Sequence, residues 1–330
     1  MMRVAVLSDI HGNLPALLSV LADAIHEGVT QVWCLGDIVG YGPYSLECYE
    51  ELRDLENKRG IPVSAWIAGN HDWGLAGKLS LEPRFFPQVE AKWALEQTEL
   101  ITSRDEETRH RFDAMREFLA GLPTFAESPQ VGVWLMHGWV AANESRKMDV
   151  TGLGSYIKTS VDDAWKAENS WKAMSELAEK SAHGRPSLIL AGHTHQPMLR
   201  RRLSHDDWRL DSPSDKGLDP PAGWPEACPK CGRGSCQSIA RWRLSIILPD
   251  DPALVNPGSV GQPRDGCPAA SYVILDLGHR HQVTFKRVGY AVQDTINAFS
   301  RLARKPDGSI DTVAMYNHVK ELRNRLMRGG

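Results

Sequence analysis

The sequence predicts an α/β fold in which two sheets pack face to face and helices cover the outside. Three observations support this prediction. Five short apolar runs have the length and β-branched content of buried strands. Segments with apolar residues at helical spacing separate several of these runs. From Ala240 onward, short β-rich runs dominate again.

The elements are predicted in chain order. The strands expected are residues 4–7, 32–35, 63–68, 133–136 and 188–191, followed by 242–248, 272–277 and 282–288. The first helix, residues 14–26, carries leucines at helical spacing and tolerates Pro15 in its first turn. Further helices are expected at residues 45–58, within 88–120, and at 161–182, with a surface helix at 310–327.

Composition is typical of a soluble enzyme. The 330 residues are 42% hydrophobic and 24% charged, which suffices to bury a large core. The formal net charge of −3 gives no reason to expect nucleic-acid binding. The first strand begins without a preceding secretory signal, and no stretch of about 20 apolar residues occurs. We therefore expect a cytoplasmic protein that does not enter membranes.

Short polar signatures follow the five early strands. They are Ser8-Asp9-Ile10-His11-Gly12-Asn13, Gly36-Asp37, Gly69-Asn70-His71-Asp72, His137-Gly138 and Gly192-His193-Thr194-His195. Ligands bind at the carboxyl ends of strands in open α/β sheets, so these residues are expected to converge. Carboxylate, amide and imidazole donors together suit a pair of first-row transition ions better than calcium or a thiolate-bound zinc. The sequence thus predicts a hydrolytic metal centre.

Each signature alone is weak evidence. An Asp-x-His or Gly-Asp pair often occurs by chance, and a lone His137 is more often a buried histidine that the backbone satisfies. Five signatures in order, each at a strand end, favour the metal centre over these separate structural explanations.

The sequence at this point resembles the calcineurin-like metallophosphoesterases, in particular their bacterial phosphodiesterase and phosphatase branch. The likeness extends from residue 1 to about residue 290. It rests on the five signatures, on residues 38–43 after Asp37, and on Asn256-Pro257-Gly258-Ser259-Val260-Gly261. The resemblance implies a four-layer α/β/β/α sandwich of two mixed sheets. It also implies dinuclear, metal-dependent hydrolysis of phosphoesters by an activated water.

The resemblance further implies a ligand set. One metal would be held by Asp9, His11 and His195, the other by Asn70, His137 and His193, and Asp37 would bridge both. The expected cofactors are two divalent transition ions, manganese first, with iron, zinc, nickel or cobalt as alternatives. A non-catalytic metal-binding scaffold of the same fold is the alternative from another class, but the complete ligand set favours an enzyme.

His71 and Asp72 are the predicted catalytic residues. The resemblance implies that His71 contacts the phosphate, and a histidine can protonate a leaving group. Asp72 is expected to orient His71.

The expected substrate is a small phosphoester or nucleotide, with phosphodiesters preferred. Protein phosphatases of the family carry an Arg soon after Gly-Asp, whereas Ile38-Val39-Gly40-Tyr41-Gly42-Pro43 follows here. Phosphomonoesters, phosphoproteins and dinucleoside polyphosphates are the alternatives. Candidate substrate contacts are Asn70, His71, Arg264, Trp73 and Trp139. Packing in the core or at its rim is the alternative for both tryptophans. The sequence identifies no protein partner.

Residues 1–290 are predicted to form the catalytic domain, with a loop insertion at about 203–238 and a C-terminal helical extension at 291–330. The insertion contains Cys228, Cys231 and Cys236, which resemble half of a zinc knuckle. Cys267 or His205 would supply the fourth ligand of a structural zinc. A reduced loop without metal is the alternative. Cys34 and Cys48 are expected to be small buried side chains.

Overall fold

The computed structural model describes residues 2–79, 105–128, 132–138, 141–142, 148–149, 187–202, 208–211, 242–247, 253–278, 281–302, 320 and 322–327. Several predictions fall outside these residues. They concern the helix at 161–182, Trp139, His205 and the cysteines Cys228, Cys231 and Cys236.

The described residues form strands and six helices whose first and last residues are both defined. The strands are β1 (Met2–Leu7), β2 (Gln31–Cys34), β3 (Val63–Trp66), β4 (Phe125–Ser128), β5 (Val133–Met136), β6 (Ala141–Ala142), β7 (Met148–Asp149), β8 (Leu188–Ala191), β9 (Pro197–Arg202), β10 (Trp208–Asp211), β11 (Trp242–Ile247), β12 (Ala253–Pro257), β13 (Ala270–Leu277) and β14 (Gln282–Val288). The helices are α1 (Leu14–His26), α2 (Ser45–Arg53), α3 (Leu55–Arg59), α4 (Asn70–Leu75), α5 (Glu106–Gly121) and α6 (Val292–Leu302).

The strands form two mixed six-stranded sheets, which confirms the predicted fold class. The first has the order β11-β14-β13-β1-β2-β3, with β1, β2 and β3 parallel. The second has the order β10-β9-β12-β8-β5-β4, with β12, β8 and β5 parallel. The remaining strand pairs of both sheets are antiparallel. A separate ribbon joins β6 to β7.

The central core lies between the two sheets. Val4 and Val6 of β1 pack there against Leu188 and Leu190 of β8. Ala5 and Leu7 belong to the second core, between the first sheet and the helices. Because successive side chains of a strand point to opposite faces, β1 is buried on both sides. This explains its continuous apolar sequence.

The helices α1 to α6 cover the outer face of the first sheet. Helix α1 has the predicted bounds, and the Asn13 side chain caps its first turn by accepting from the Ala16 N–H. The predicted helix at 45–58 is broken at Asp54 into α2 and α3. Phe112 and Met115 of α5 join the core beneath these helices.

The C-terminal residues also contribute to this core. Val292 and Ile296 of α6 belong to it, and so do Leu322 and Leu326 in the helical residues 322–327. The described part agrees with the predicted surface helix at 310–327, because residues 320, 323, 324 and 327 are exposed while one apolar face is buried. The domain division at residue 290 stays a prediction.

Cys34 and Cys48 are fully buried, as predicted. Cys267 is 1% exposed, and the cysteines proposed to share a zinc with it lie outside the described residues. No helix among the described residues has the length and apolar character needed to cross a membrane.

Candidate metal centre

The loops after five strands bring seven buried polar side chains together. The strands are β1, β2 and β3 of the first sheet and β5 and β8 of the second. The side chains are Asp9, His11, Asp37, Asn70, His137, His193 and His195, and none is more than 5% exposed. These are the seven ligands predicted from the sequence. The structure places them at one edge of the paired sheets, as expected from the carboxyl ends of parallel strands.

The backbone at this edge is strained. Asp9, His11, Asp37, His193 and His195 all have positive φ angles, between 48° and 68°. Residues with a β-carbon rarely adopt this conformation, and such strain clusters at functional sites. The surrounding fold must stabilise these conformations, because the local sequence does not favour them.

The ligand atoms fall into two groups joined by Asp37. The atoms of Asp9, His11 and His195 lie within 4.8 Å of one another, and so do those of Asp37, His137 and His193. Asp37 Oδ2 lies 3.6 Å from His11 Nε2 and 3.2 Å from His137 Nε2. It therefore lies between the two groups, where a bridging ligand would be.

Backbone carbonyls fix the orientation of three imidazoles. The Nδ1 atoms of His11, His137 and His195 lie 3.0, 2.8 and 2.6 Å from the carbonyl oxygens of Val39, Leu35 and Gln262, respectively. A carbonyl only accepts hydrogen bonds, so each Nδ1 carries a proton, and in its neutral form each ring presents the lone pair of Nε2 to the centre. Histidines that ligate metals are usually held in this way.

The donors that face the centre fit divalent cations. Within the described residues, Asp9 Oδ1, Asn70 Oδ1 and His137 Nε2 are buried and make no hydrogen bond. Burial also raises the pKa of Asp9 to about 6. Buried polar atoms without partners are costly, and a cation placed among them would offset that cost. The mixture of carboxylate, amide and imidazole donors suits first-row transition ions.

Burial and charge set the protonation of the other ligands. Burial lowers the pKa of His11 and His195 well below the ordinary value, and burial with the charge of His137 lowers that of His193 to about 3. Burial would also lower the pKa of His137, but the interactions with Asp37, Asp9 and the Leu35 carbonyl together outweigh burial and raise the pKa to about 9. Conversely, burial would raise the pKa of Asp37, but the charges of His137 and His71 hold it well below its ordinary value. Three of the four imidazoles are thus neutral, the form that binds metals.

Asp72 supports the backbone of the site. Both of its oxygens accept backbone N–H groups, at 2.7 to 3.3 Å, from Gly69, Asp37, Ile38 and Val39. Burial and the charge of Asp37 raise the pKa of Asp72 to about 7, whereas these four donors favour its ionised form. The side chain therefore joins the loops after β2 and β3. This corrects the expectation that Asp72 orients the His71 ring.

His71 lies at the edge of the two ligand groups. Its backbone N–H donates to Asp37 Oδ1 at 2.9 Å, which fixes it relative to the proposed bridge. Its ring centroid is 4.9 Å from that of His11 and 4.7 Å from that of Tyr41. Burial lowers the pKa of His71 to about 4 although the charge of Asp37 opposes this shift. The ring is neutral in this environment.

Arg264 and Tyr41 form a pair beside the centre. The backbone N–H of Arg264 donates to the His195 carbonyl at 3.1 Å. Its side-chain Nη2 donates to Tyr41 Oη and to Gln262 Oε1, both at 3.0 Å. The structure thus brings Arg264 to the site, as the sequence predicted. Sequence reasoning gave no role to Tyr41. The signal available was its position between two glycines in the loop directly after Asp37.

Trp73 packs with the protein instead of facing the site. Its ring contacts the core beneath the helices, and its Nε1–H donates to the Leu122 carbonyl at 3.2 Å. These contacts agree with the packing alternative, and stacking of Trp73 on a nucleobase stays a prediction. Trp139 lies outside the described residues.

The end of β12 and the loop after it support the proposed ligands, although they lie outside the five signatures. Ser259 Oγ donates to the Asp9 carbonyl at 2.7 Å, and Asn256 Nδ2 donates to the Gly192 carbonyl at 2.7 Å. The Gln262 carbonyl is the partner of His195 Nδ1. The motif at residues 256–261 thus holds the backbone on which Asp9, His193 and His195 depend.

Asn13 connects this loop to the C-terminal residues. Its Nδ2 donates to the Gly261 carbonyl at 2.8 Å and to Tyr290 Oη at 3.1 Å. Its Oδ1 accepts from Thr295 Oγ1 at 2.8 Å. One buried amide therefore joins the first signature, the loop after β12 and helix α6.

Comparisons with known proteins agree with this geometry. The model of the family described as calcineurin-like phosphoesterase matches residues 2–197. The chain is 29% identical over 275 residues to an uncharacterized protein of Methanocaldococcus jannaschii, covering 83% of this chain and 82% of that protein. The crystal structure of a metallophosphoesterase from Sphaerobacter thermophilus aligns with a TM-score of 0.59 and 26% identity, covering 100% of this chain and 99% of that one.

Proposed function

Because the chain belongs to the calcineurin-like phosphoesterase family, we propose that it hydrolyses phosphoesters at a dinuclear metal centre. The observation that carries this proposal is the position of Asp37 Oδ2 between the two ligand groups, 3.6 Å from His11 Nε2 and 3.2 Å from His137 Nε2. Asp9, His11 and His195 would hold one ion together with Asp37. The second ion would be held by Asp37 with Asn70, His137 and His193.

The proposed cofactors are two divalent transition ions, with manganese preferred over iron, zinc, nickel or cobalt. When bound, such a pair neutralises phosphate oxygens and lowers the pKa of a bound water toward 7. The chain's own contribution is to hold the donors in place. Val39, Leu35 and Gln262 do so through carbonyls, and Asp72 through the loop that carries Asp37.

His71 is proposed to contact the substrate phosphate, whose negative charge would raise the lowered pKa of the ring, and then to protonate the leaving oxygen. It is tied to the bridging carboxylate through its backbone N–H, so its position follows that of the centre. General acid catalysis of this kind contributes roughly 10²- to 10⁴-fold to rate.

The preferred substrate is proposed to be a phosphodiester. Ile38 and Val39, which follow the proposed bridge, are apolar and at most 1% exposed, so this part of the loop supplies no cation. A monoester carries about 1.5 to 2 negative charges near neutral pH and gains most from a guanidinium clamp, whereas a diester carries one. Arg264 is proposed as a phosphate contact. Its Nη2 already donates to Tyr41 Oη and Gln262 Oε1, so the other nitrogens of the guanidinium would make this contact.

Metal content and hydrolysis test the proposal together. Purified protein should contain about two transition ions per chain, lose activity with a chelator and recover it with manganese. Asp37→Asn should lose both ions and the activity. Asp54→Asn, at a carboxylate that is 45% exposed, is the matched control and should behave as wild type.

Substrate preference requires matched esters. Bis-p-nitrophenyl phosphate and p-nitrophenyl phosphate should be compared at equal metal and pH, with correction for intrinsic reactivity, and the diester should have the higher kcat/KM. A clear monoester preference would overturn the proposed specificity. Metal binding without hydrolysis of any phosphoester would show a non-catalytic scaffold. Full activity in metal-free Asp37→Asn protein would refute the metal mechanism itself.

A further inference from the structure

Tyr41 has features that core packing alone does not explain. It is 6% exposed, and its φ angle is +39°, in the left-handed region that a β-carbon disfavours. It lies between Gly40 and Gly42, in the loop that carries the proposed bridging carboxylate. A bulky residue in such a conformation is over-determined by its surroundings and often belongs to a functional site.

The Tyr41 ring lies among three imidazoles of the site. Its centroid is 4.5 Å from that of His11, 4.7 Å from that of His71 and 6.3 Å from that of His195. These three histidines come from three different segments, since His11 and His195 lie in the loops after β1 and β8 and His71 lies in α4. The ring therefore has a position fixed relative to both the proposed ligands and the proposed general acid.

The Tyr41 hydroxyl connects this fixed ring to Arg264. It accepts from Arg264 Nη2 at 3.0 Å, and the guanidinium carbon lies 5.6 Å from the centroid of the ring. Gln262 Oε1 accepts from the same Nη2 at 3.0 Å. The backbone N–H of Arg264 also donates to the His195 carbonyl at 3.1 Å, which places this residue beside the centre.

We propose that Tyr41 is a positioning residue that holds the Arg264 guanidinium ready to contact a substrate phosphate. An arginine side chain is long and has many rotamers, so binding a phosphate with it ordinarily costs conformational entropy. Two acceptors that fix the guanidinium beforehand reduce this cost. The inference rests on the proposed function, and it identifies Tyr41 as a residue that sets the affinity of the protein for phosphate.

A merely structural role would have different consequences. If Tyr41 only filled space, removal of its hydroxyl would leave phosphate affinity unchanged, because the ring would remain. If it served mainly to support the ligands, the same change would reduce metal content. Positioning of Arg264 instead predicts weaker phosphate binding at unchanged metal content.

The test is a double-mutant cycle on manganese-loaded protein, with inorganic phosphate as the probe and its Kd measured by calorimetry. Tyr41→Phe should weaken phosphate binding about tenfold, as expected when a charge-assisted hydrogen bond no longer orients the cation. Arg264→Gln should weaken it at least as much. The double variant should bind no more weakly than Arg264→Gln alone, because the hydroxyl acts through the guanidinium.

Two further variants make the test specific. Tyr49→Phe makes the same chemical change at a tyrosine that packs against Phe118 on the helical face, and it should keep wild-type phosphate affinity. Gln262→Met removes the second acceptor of the guanidinium and should also weaken phosphate binding. It provides an independent arm should Tyr41→Phe protein fail to fold. Metal content is measured for every variant, and KM for bis-p-nitrophenyl phosphate should rise more than kcat falls.

Wild-type phosphate affinity in both Tyr41→Phe and Gln262→Met would overturn the inference. So would additive effects of Tyr41→Phe and Arg264→Gln, or a loss of metal in Tyr41→Phe. The wild-type protein could bind phosphate more tightly than Tyr41→Phe and yet hydrolyse no phosphoester. That result would support the inference while refuting the proposed catalysis. The two failures are therefore distinguishable.

Discussion

Replacement of Asp72 by asparagine isolates the carboxylate that joins two loops of the site. Asp72 is completely buried. Its Oδ2 accepts the N–H groups of Asp37 at 2.7 Å and Gly69 at 2.9 Å, and its Oδ1 accepts those of Ile38 at 2.9 Å and Val39 at 3.3 Å. Asparagine has nearly the same shape, so Asp72→Asn changes hydrogen bonding without leaving a cavity.

The size of the effect follows from these four bonds. The NH₂ group of the introduced asparagine would replace one oxygen and would face two N–H donors, and a flip of the amide would only exchange one pair of donors for the other. Two hydrogen bonds to a charged group are therefore lost in either orientation, at about 1.5 to 3 kcal/mol each. The raised pKa of Asp72 shows that burial of its charge is itself costly, and removal of the charge offsets part of this loss. We therefore expect the free energy of unfolding to fall by about 1 to 3 kcal/mol, against the roughly 5 to 15 kcal/mol typical of proteins.

Urea denaturation of metal-free protein measures this change without a contribution from metal binding. The measurement should be made at pH 8, above the raised pKa of about 7, so that the Asp72 carboxylate is ionised. Asp54→Asn, at an exposed carboxylate, should remain within about 0.5 kcal/mol of wild type. An equally small change in Asp72→Asn would refute the view that this carboxylate holds the loop of Asp37.

Two more substitutions test the environment of His71. His71→Ala should retain both metal ions yet lower turnover of esters with poor leaving groups by roughly 10²- to 10⁴-fold, and p-nitrophenyl esters should lose less. Equal losses for p-nitrophenyl and alkyl esters would favour phosphate positioning over proton donation. Gly40→Ala places a β-carbon against His71 Nδ1, so it should displace the ring and lower kcat by about 10²-fold. Gly60→Ala shares the positive φ but has nothing within 4 Å of the added carbon, and its kcat should equal that of wild type; equal kcat in both variants would refute the role of this contact.

The sequence was sufficient to place the seven proposed ligands because their positions depend on local pattern. A buried strand is recognisable from its apolar run, and parallel strands deliver their next residues to the same edge of a sheet. Asp9 and His195 could therefore be expected to meet although they are far apart in the chain. Their ligand atoms lie 3.2 Å apart.

Contacts that depend on side-chain direction could not be predicted in this way. Asp72 directly follows His71 in sequence, but its carboxylate turns back to the loop after β2. Trp73 follows closely and its indole turns to the Leu122 carbonyl. Neighbours in a short helix point in different directions, so adjacency in sequence does not imply contact. The hydrogen bond between Tyr41 and Arg264 could not be predicted either. These residues are 223 positions apart, and only the tertiary fold brings their side chains together.

The Asn13 amide has a consequence for recombination between relatives. The segment matched by the family model, residues 2–197, carries all seven proposed ligands, and it also carries Asn13. Three of the four partners of that amide, Gly261, Tyr290 and Thr295, lie beyond the segment, and only Ala16 lies within it. A chimera that joined this segment to the C-terminal part of a distant relative would inherit every ligand but would bury an amide that keeps only its bond to the Ala16 N–H. The two halves of the chain are therefore expected to be exchanged between homologues only together.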